Sequence, residues 1–172
     1  MKRMQESLTD GTEAAMQRNQ QIFKKILVAI NITGYYEKLI AYGVRLAKVL
    51  GSDIAAIHVI EESVKTPTVD VMQLYSEGKA YEEDYGKDIK KRAEKILEQA
   101  QLFASKEGIA FQTEILATST SVSESIIEFA KANNIELILI GTKDMTGVVK
   151  FLLGSVANKV ITHAPCPVLA IR

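Results

Sequence analysis

The sequence predicts a single α/β domain built on a five-stranded, mostly parallel sheet with helices on both faces. Two observations predict it: short apolar runs rich in β-branched residues recur along the chain, and between them lie segments whose apolar residues repeat at helical spacing. Strand and helix signals therefore alternate, and parallel strands need such crossovers, which are right-handed.

The first run, ILVAIN from Ile26, reads as a strand buried on both faces. Apolar positions at Tyr36, Leu39, Ile40, Gly43, Val44, Ala47 and Leu50 then mark a helix that Gly51 stops. IAAIHVI, Ile54 to Ile60, is the second strand. A polar connection follows over residues 61–86, longer than the roughly 2–6 residues usual in compact α/β units, so it is read as a lid or as partly helical. Tyr75 and Tyr81 within it are candidates to stack on a bound base. Ile89, Ala93, Ile96, Leu97, Ala100 and Phe103 give a second helix ending near Gly108.

AFQTEILA alternates like a third strand. Ser121 and Glu124 have the S-x-x-E form of a capping box, opening a helix that runs to about Asn133. ELILIG is the fourth strand, Val148 to His163 a fourth helix, and CPVLAIR the fifth strand. Residues 1–22 are polar and Gln-rich and lie outside this pattern, which makes them a frayed or conditionally helical arm before a domain spanning 23–172.

The 172 residues suit one domain, and 47% hydrophobic with 24% charged residues is ordinary globular composition. Lys plus Arg and Asp plus Glu number 21 each, so no net field draws in nucleic acid or an anionic membrane. The beginning of the sequence has no apolar run of a signal peptide or membrane span. Cys166 is the single cysteine and no paired zinc spacing exists, which fits a reducing cytoplasm.

Ligands of such sheets gather at the carboxyl ends of the strands. Strand one offers Asn31, Ile32, Thr33 and Gly34 there, and strand four offers Gly141, Thr142, Lys143 and Asp144. Gly154 and Ser155 stand thirteen residues after Gly141 and its neighbour, near the amino end of the last helix. Free amides and a hydroxyl at that place suit phosphate oxygens. Isolated glycines also serve turns and close packing, so the spacing alone leaves both readings open. His58 and His163 lack the spacing of a metal or catalytic site and read as structural, Cys166 as a small apolar filler, and the hydroxyls of Thr118 to Ser123 as capping and turn residues.

The string GTKDMTGVVKFLLGSVANKVITHAPCPVLAIR resembles the carboxyl-terminal signature of the universal stress protein family, whose loop reads G-x2-G-x9-G-[S/T]. ILVAIN-IT and AAIHVIEE resemble the family's first two strands, so the likeness spans Lys25 to Arg172 apart from the long connection. It implies a Rossmann-like five-stranded fold, frequent ATP binding and homodimers formed through the last strand. It implies phosphate contacts on Gly141, Gly154, Ser155 and Val156, a base-side backbone contact on Val59, and a dimer edge at Pro167, Val168, Leu169, Ala170 and Ile171.

Two positions depart from the family pattern. Asn31 stands where ATP-binding members carry an acid, and Asp144 replaces the second glycine of the loop. Asn31 still hydrogen-bonds a ribose or base but brings no charge to a metal. A carboxylate about 6 Å from a phosphate charge is repelled by about 0.7 kcal/mol in water and about 2.8 kcal/mol at an effective dielectric of 20. Alternatively Asp144 holds a Mg²⁺ that bridges to the phosphates, or turns outward to pair with Lys143 or Lys150.

The expected function is a dimeric stress-response or signalling module that binds ATP or another adenine nucleotide, with altered or weakened preference. The alternative is a member that has lost ATP and acts as a dimeric interaction scaffold. An enzyme comes third: there is no Walker A loop and no paired acid at the strand ends, which leaves at most slow hydrolysis. A phosphoacceptor receiver would need an acid where Asn31 stands.

Overall fold

The computed structural model describes residues 22–32, 34, 36–62, 75–142 and 153–172, with the backbone alone over 75–86. Its strands are β1 (Lys25–Ala29), β2 (Asp53–Glu61), β3 (Phe111–Thr118), β4 (Leu137–Gly141) and β5 (Val168–Ile171). Its helices are α1 (Tyr36–Leu50), α2 (Tyr75–Lys106), α3 (Val122–Ala132) and α4 (Ser155–His163). All strand pairings are parallel, and the sheet order is β3-β2-β1-β4-β5.

The central strand explains why the first apolar run does not alternate. Ile26, Val28 and their neighbours from β2 and β4 pack under α1 and α2, while Leu27, Ala29, Ile57 and Ile138 pack under α3 and α4. Both faces of β1 are thus covered, and Ile26, Leu27 and Val28 are completely buried. Each such side chain contributes roughly 1.5–3 kcal/mol relative to exposure, as an upper estimate.

In α1 the stripe Leu39, Ile40, Gly43, Val44 and Ala47 faces the sheet, with Glu37 in the first turn and Lys48 in the last, each matched to the helix dipole. Gly43 allows close approach: a Cβ there would stand 3.0 Å from Val28 Cγ2. Gly51, at a φ of 69°, ends the helix as expected. Ser121 caps α3, its hydroxyl accepting from the Glu124 amide at 3.2 Å.

Three boundaries and the pattern of one strand differ from the sequence expectation. The polar connection after β2 gives way to helix at Tyr75, so its second half is the first three turns of α2. The side chains of Tyr75 and Tyr81 lie outside the described residues. β3 does not alternate: it is an edge strand, with Gln112, Thr113 and Glu114 all exposed. Ladder geometry makes β1 end at Ala29, although Ile30 still donates to Ile57 O at 2.8 Å.

The fourth correction matters most for function. The last helix starts at Ser155, not at Val148, with Gly154 as its N-cap in an extended conformation (φ −58°, ψ 153°). Glycine is a poor helix former, and here it marks the boundary.

A candidate nucleotide cavity at the switch point

From β1 the chain moves outward to β2 and β3 on one side, then returns to place β4 and β5 on the other. Loops leaving β1 and β4 therefore diverge, and a crevice opens between their carboxyl ends. A cavity of about 540 Å³ lies there, within the usual range for a small-molecule site. Its walls come from the ends of β1, β2 and β4 and from the amino ends of α1, α3 and α4, with Tyr36 and Leu39 contributed by α1.

The amino end of α4 supplies its polarity. The first amides of a helix have no partner inside the helix. Gly154 makes no side-chain cap, and the first turn holds no acidic residue to neutralise the dipole. Gly154, Ser155 and Val156 all line the cavity, so a patch of partial positive charge faces it.

Gly141, at the end of β4, lines the same cavity. A Cβ built there meets nothing within 4 Å, and its φ is not in the left-handed region. Among the described residues, neither packing nor backbone conformation accounts for the glycine. Thr142 next to it is tied down: its amide (2.8 Å) and hydroxyl (3.2 Å) both donate to Ile171 O.

The remaining wall is mostly apolar. Ile57 and Val59 from β2, Ile126 from α3 and Ile140 from β4 form it, with Asn31 at the rim. His58 also reaches the cavity, and its Nδ1 lies 2.9 Å from Ile30 O. The sequence reads this histidine as structural, because an imidazole within an apolar strand gives no signal of what it bonds across the sheet.

The structure thus brings Asn31, Val59, Gly141, Thr142, Gly154, Ser155 and Val156 around one cavity. Thr33 and Asp144 lie outside the described residues, and with them the expected Mg²⁺ contact. Among the described residues no group of three or more His, Cys, Asp or Glu is placed to hold a metal ion.

The edge predicted to mediate dimers is the outer strand of the sheet. Val168–Ile171 form the outermost strand, with Leu169 41% exposed, and Pro167 immediately before it accepts from the Ile138 amide at 3.0 Å. No helix of the described residues is long and apolar enough to cross a membrane.

Residues 22–172 match the universal stress protein family. The universal stress protein YxiE of Bacillus subtilis is 30% identical, over 88% of this chain and all of the relative. A universal stress protein of Archaeoglobus fulgidus solved in complex with dAMP superposes with a TM-score of 0.59 at 22% identity, over 88% of this chain and 99% of that one. Another, solved in complex with cAMP, gives 0.61 at 12% identity over 87% and 97%. At these identities the two structures establish the shared fold.

Proposed function

Because the chain belongs to the universal stress protein family, we propose that its cavity holds an adenine nucleotide and that binding serves a stress-response or signalling role. The observation that carries this reading is that the amino end of α4, where Gly154 supplies no side-chain cap, and Gly141 line one cavity at the switch point.

Each part of a nucleotide has a matching surface. Phosphate oxygens suit the amides of Ser155 and Val156 and the Ser155 hydroxyl. Gly141 leaves room for a phosphate or ribose to approach the backbone closely. The base fits the apolar wall, with the backbone of Val59 for its edge, and Asn31 at the rim offers hydrogen bonds to the sugar. The neighbours solved with dAMP and cAMP are adenine-nucleotide complexes, which supports the ligand class.

ATP with Mg²⁺ is the ligand form we propose to be weakened. Asn31 gives a metal a neutral oxygen at most, and a carboxylate at position 144 adds repulsion toward a polyphosphate. The protein is further proposed to work in the cytoplasm as a homodimer paired through β5, whose exposed Leu169 would be covered by the partner.

Calorimetry with ATP, ADP and AMP, with and without Mg²⁺, tests the nucleotide; native mass spectrometry of the same sample tests the dimer. Heat from at least one nucleotide is expected. No heat from any of them at millimolar ligand would sink the nucleotide reading.

Asn31 also favours a second reading, a dimeric scaffold without nucleotide. Asp144→Gly separates the two: tight ATP binding restored in the variant identifies Asp144 as the disabling residue in an otherwise competent site, whereas an inert variant leaves the scaffold.

A further inference from the structure

The β1–β2 ladder ends in an unusual way. Ile30 donates its amide to Ile57 O at 2.8 Å. In extended chain, the amide and carbonyl of one residue point to the same neighbouring strand. Ile30 O is therefore aimed at β2, where the regular parallel pattern would give it the amide of Val59. It instead receives the side chain of His58, with Nδ1 at 2.9 Å.

A carbonyl oxygen can only accept, so Nδ1 of His58 carries the hydrogen. The ring is buried, 8% exposed, and sits on the strand between two cavity-lining residues, Ile57 and Val59. A buried carbonyl needs a partner, and here a side chain supplies it where the regular ladder would use a main-chain amide.

We infer that His58 is a positioning residue of the cavity: by taking the Ile30 carbonyl through Nδ1–H, it ends the ladder one step early and reserves the Val59 amide for a ligand. By strand geometry the amide of Val59 points toward the β1 side, as the Ile57 carbonyl two residues before it does, and Val59 lines the cavity. The same bond fixes the plane of the Ile30–Asn31 peptide, and with it the rim from which Asn31 projects. The ligand chemistry that suits a lone, fixed amide donor beside an apolar wall is the edge of a heteroaromatic ring presenting an unprotonated nitrogen. This inference rests on the nucleotide reading for its ligand, but its structural half stands apart from it.

Two substitutions separate positioning from mere packing. His58→Asn places an amide nitrogen where Nδ1 was, whereas His58→Leu keeps the bulk and removes the donor. Nitrogen-detected NMR of the parent protein is expected to show a hydrogen on Nδ1 of His58. Hydrogen exchange without any nucleotide is expected to be fast at Val59 in the parent and in the Asn variant. In the Leu variant it should slow by about tenfold or more, as the amide closes onto Ile30 O. Calorimetry with AMP and ADP is expected to show affinity within about threefold of the parent for Asn and lost by about tenfold or more for Leu.

An Nε2–H tautomer in the parent, or equal Val59 exchange in all three proteins, overturns the role. So does a Leu variant that binds nucleotide like the parent, or an Asn variant as impaired as Leu. If the parent binds no nucleotide, the ligand reading has failed, and the tautomer and exchange results still decide what His58 does.

Discussion

Thr142 places both its amide and its hydroxyl on the carbonyl oxygen of Ile171, at 2.8 and 3.2 Å. One acceptor at the end of the chain thereby holds the strand end that forms a wall of the cavity. Thr142 has no proton left to donate to a ligand, so its contribution to the site is to keep Gly141 in place.

Thr142→Val removes the hydroxyl bond while keeping shape and the amide bond. It is expected to cost about 0.5–1.5 kcal/mol of stability and to leave nucleotide affinity within about threefold. Chemical denaturation and calorimetry read the two effects; lost affinity at unchanged stability would mean that the hydroxyl touches the ligand.

Gly141→Val tests the cavity from the opposite direction. Because a Cβ at 141 meets open space, the variant should fold with its thermal midpoint nearly unchanged. Two methyl groups in the space a ligand would occupy should reduce adenine-nucleotide affinity by about tenfold or more.

Gly43→Ala makes the contrasting case, a glycine needed by the fold. The added methyl would stand 3.0 Å from Val28 Cγ2, between α1 and the central strand. Helix propensity favours alanine by up to about 1 kcal/mol, but forcing the helix off the sheet costs about 1–3 kcal/mol, so a net loss of stability is expected in urea unfolding.

Ser121→Ala removes the acceptor for the Glu124 amide at the start of α3. The expected loss is about 1 kcal/mol, read from the denaturation midpoint. Since Val122 and Ile126 of this helix line the cavity, a modest loss of ligand affinity should accompany it.

Cys166 gives a pH-dependent signature. Burial pushes its thiol above the ordinary value, so the folded pKa exceeds the unfolded one. The stability linked to the protonated thiol is present below the unfolded pKa and is lost as pH rises through the folded value. At about pH 8, alkylation by iodoacetamide should therefore be slower in the native protein than in the denatured chain. The gap should narrow as pH rises.

Much of this fold was legible because burial writes itself into the sequence. Strands covered on both faces, such as Ile26 to Val28, appear as unbroken apolar runs, and α1 announced itself by a stripe that ends at Gly51. Edges and polar helices are less legible. β3 is paired on one side and largely exposed, so its side chains answer to no regular period, and the part of α2 before Ile89 is written in mostly polar residues, with no apolar stripe along the sequence for a periodicity to detect.

The site divides in the same way. Asn31, Gly141 and Gly154 could be found because strand ends and a helix start are local features. The bond from His58 to Ile30 joins residues on different strands, and what it does depends on ladder geometry that no spacing along the chain encodes. The start of the last helix was misplaced because apolar residues continue through Val148 and Phe151 and resemble helical periodicity, although the N-cap is Gly154.

The order of strands also has a consequence for how this molecule is made. β1 is the middle of the sheet, and β2 covers one of its edges soon after synthesis, but the other edge must wait for Leu137 to Ile140. A ribosome emits most of the chain in that interval, while a strand that is apolar from Ile26 to Ala29 has an open flank. Pairing across so long a loop is slow, and unpaired apolar strands are where nascent chains stick to one another. The arrangement that opens the crevice at the switch point thus also sets the period during which the growing chain is most exposed to chaperones and to its own copies.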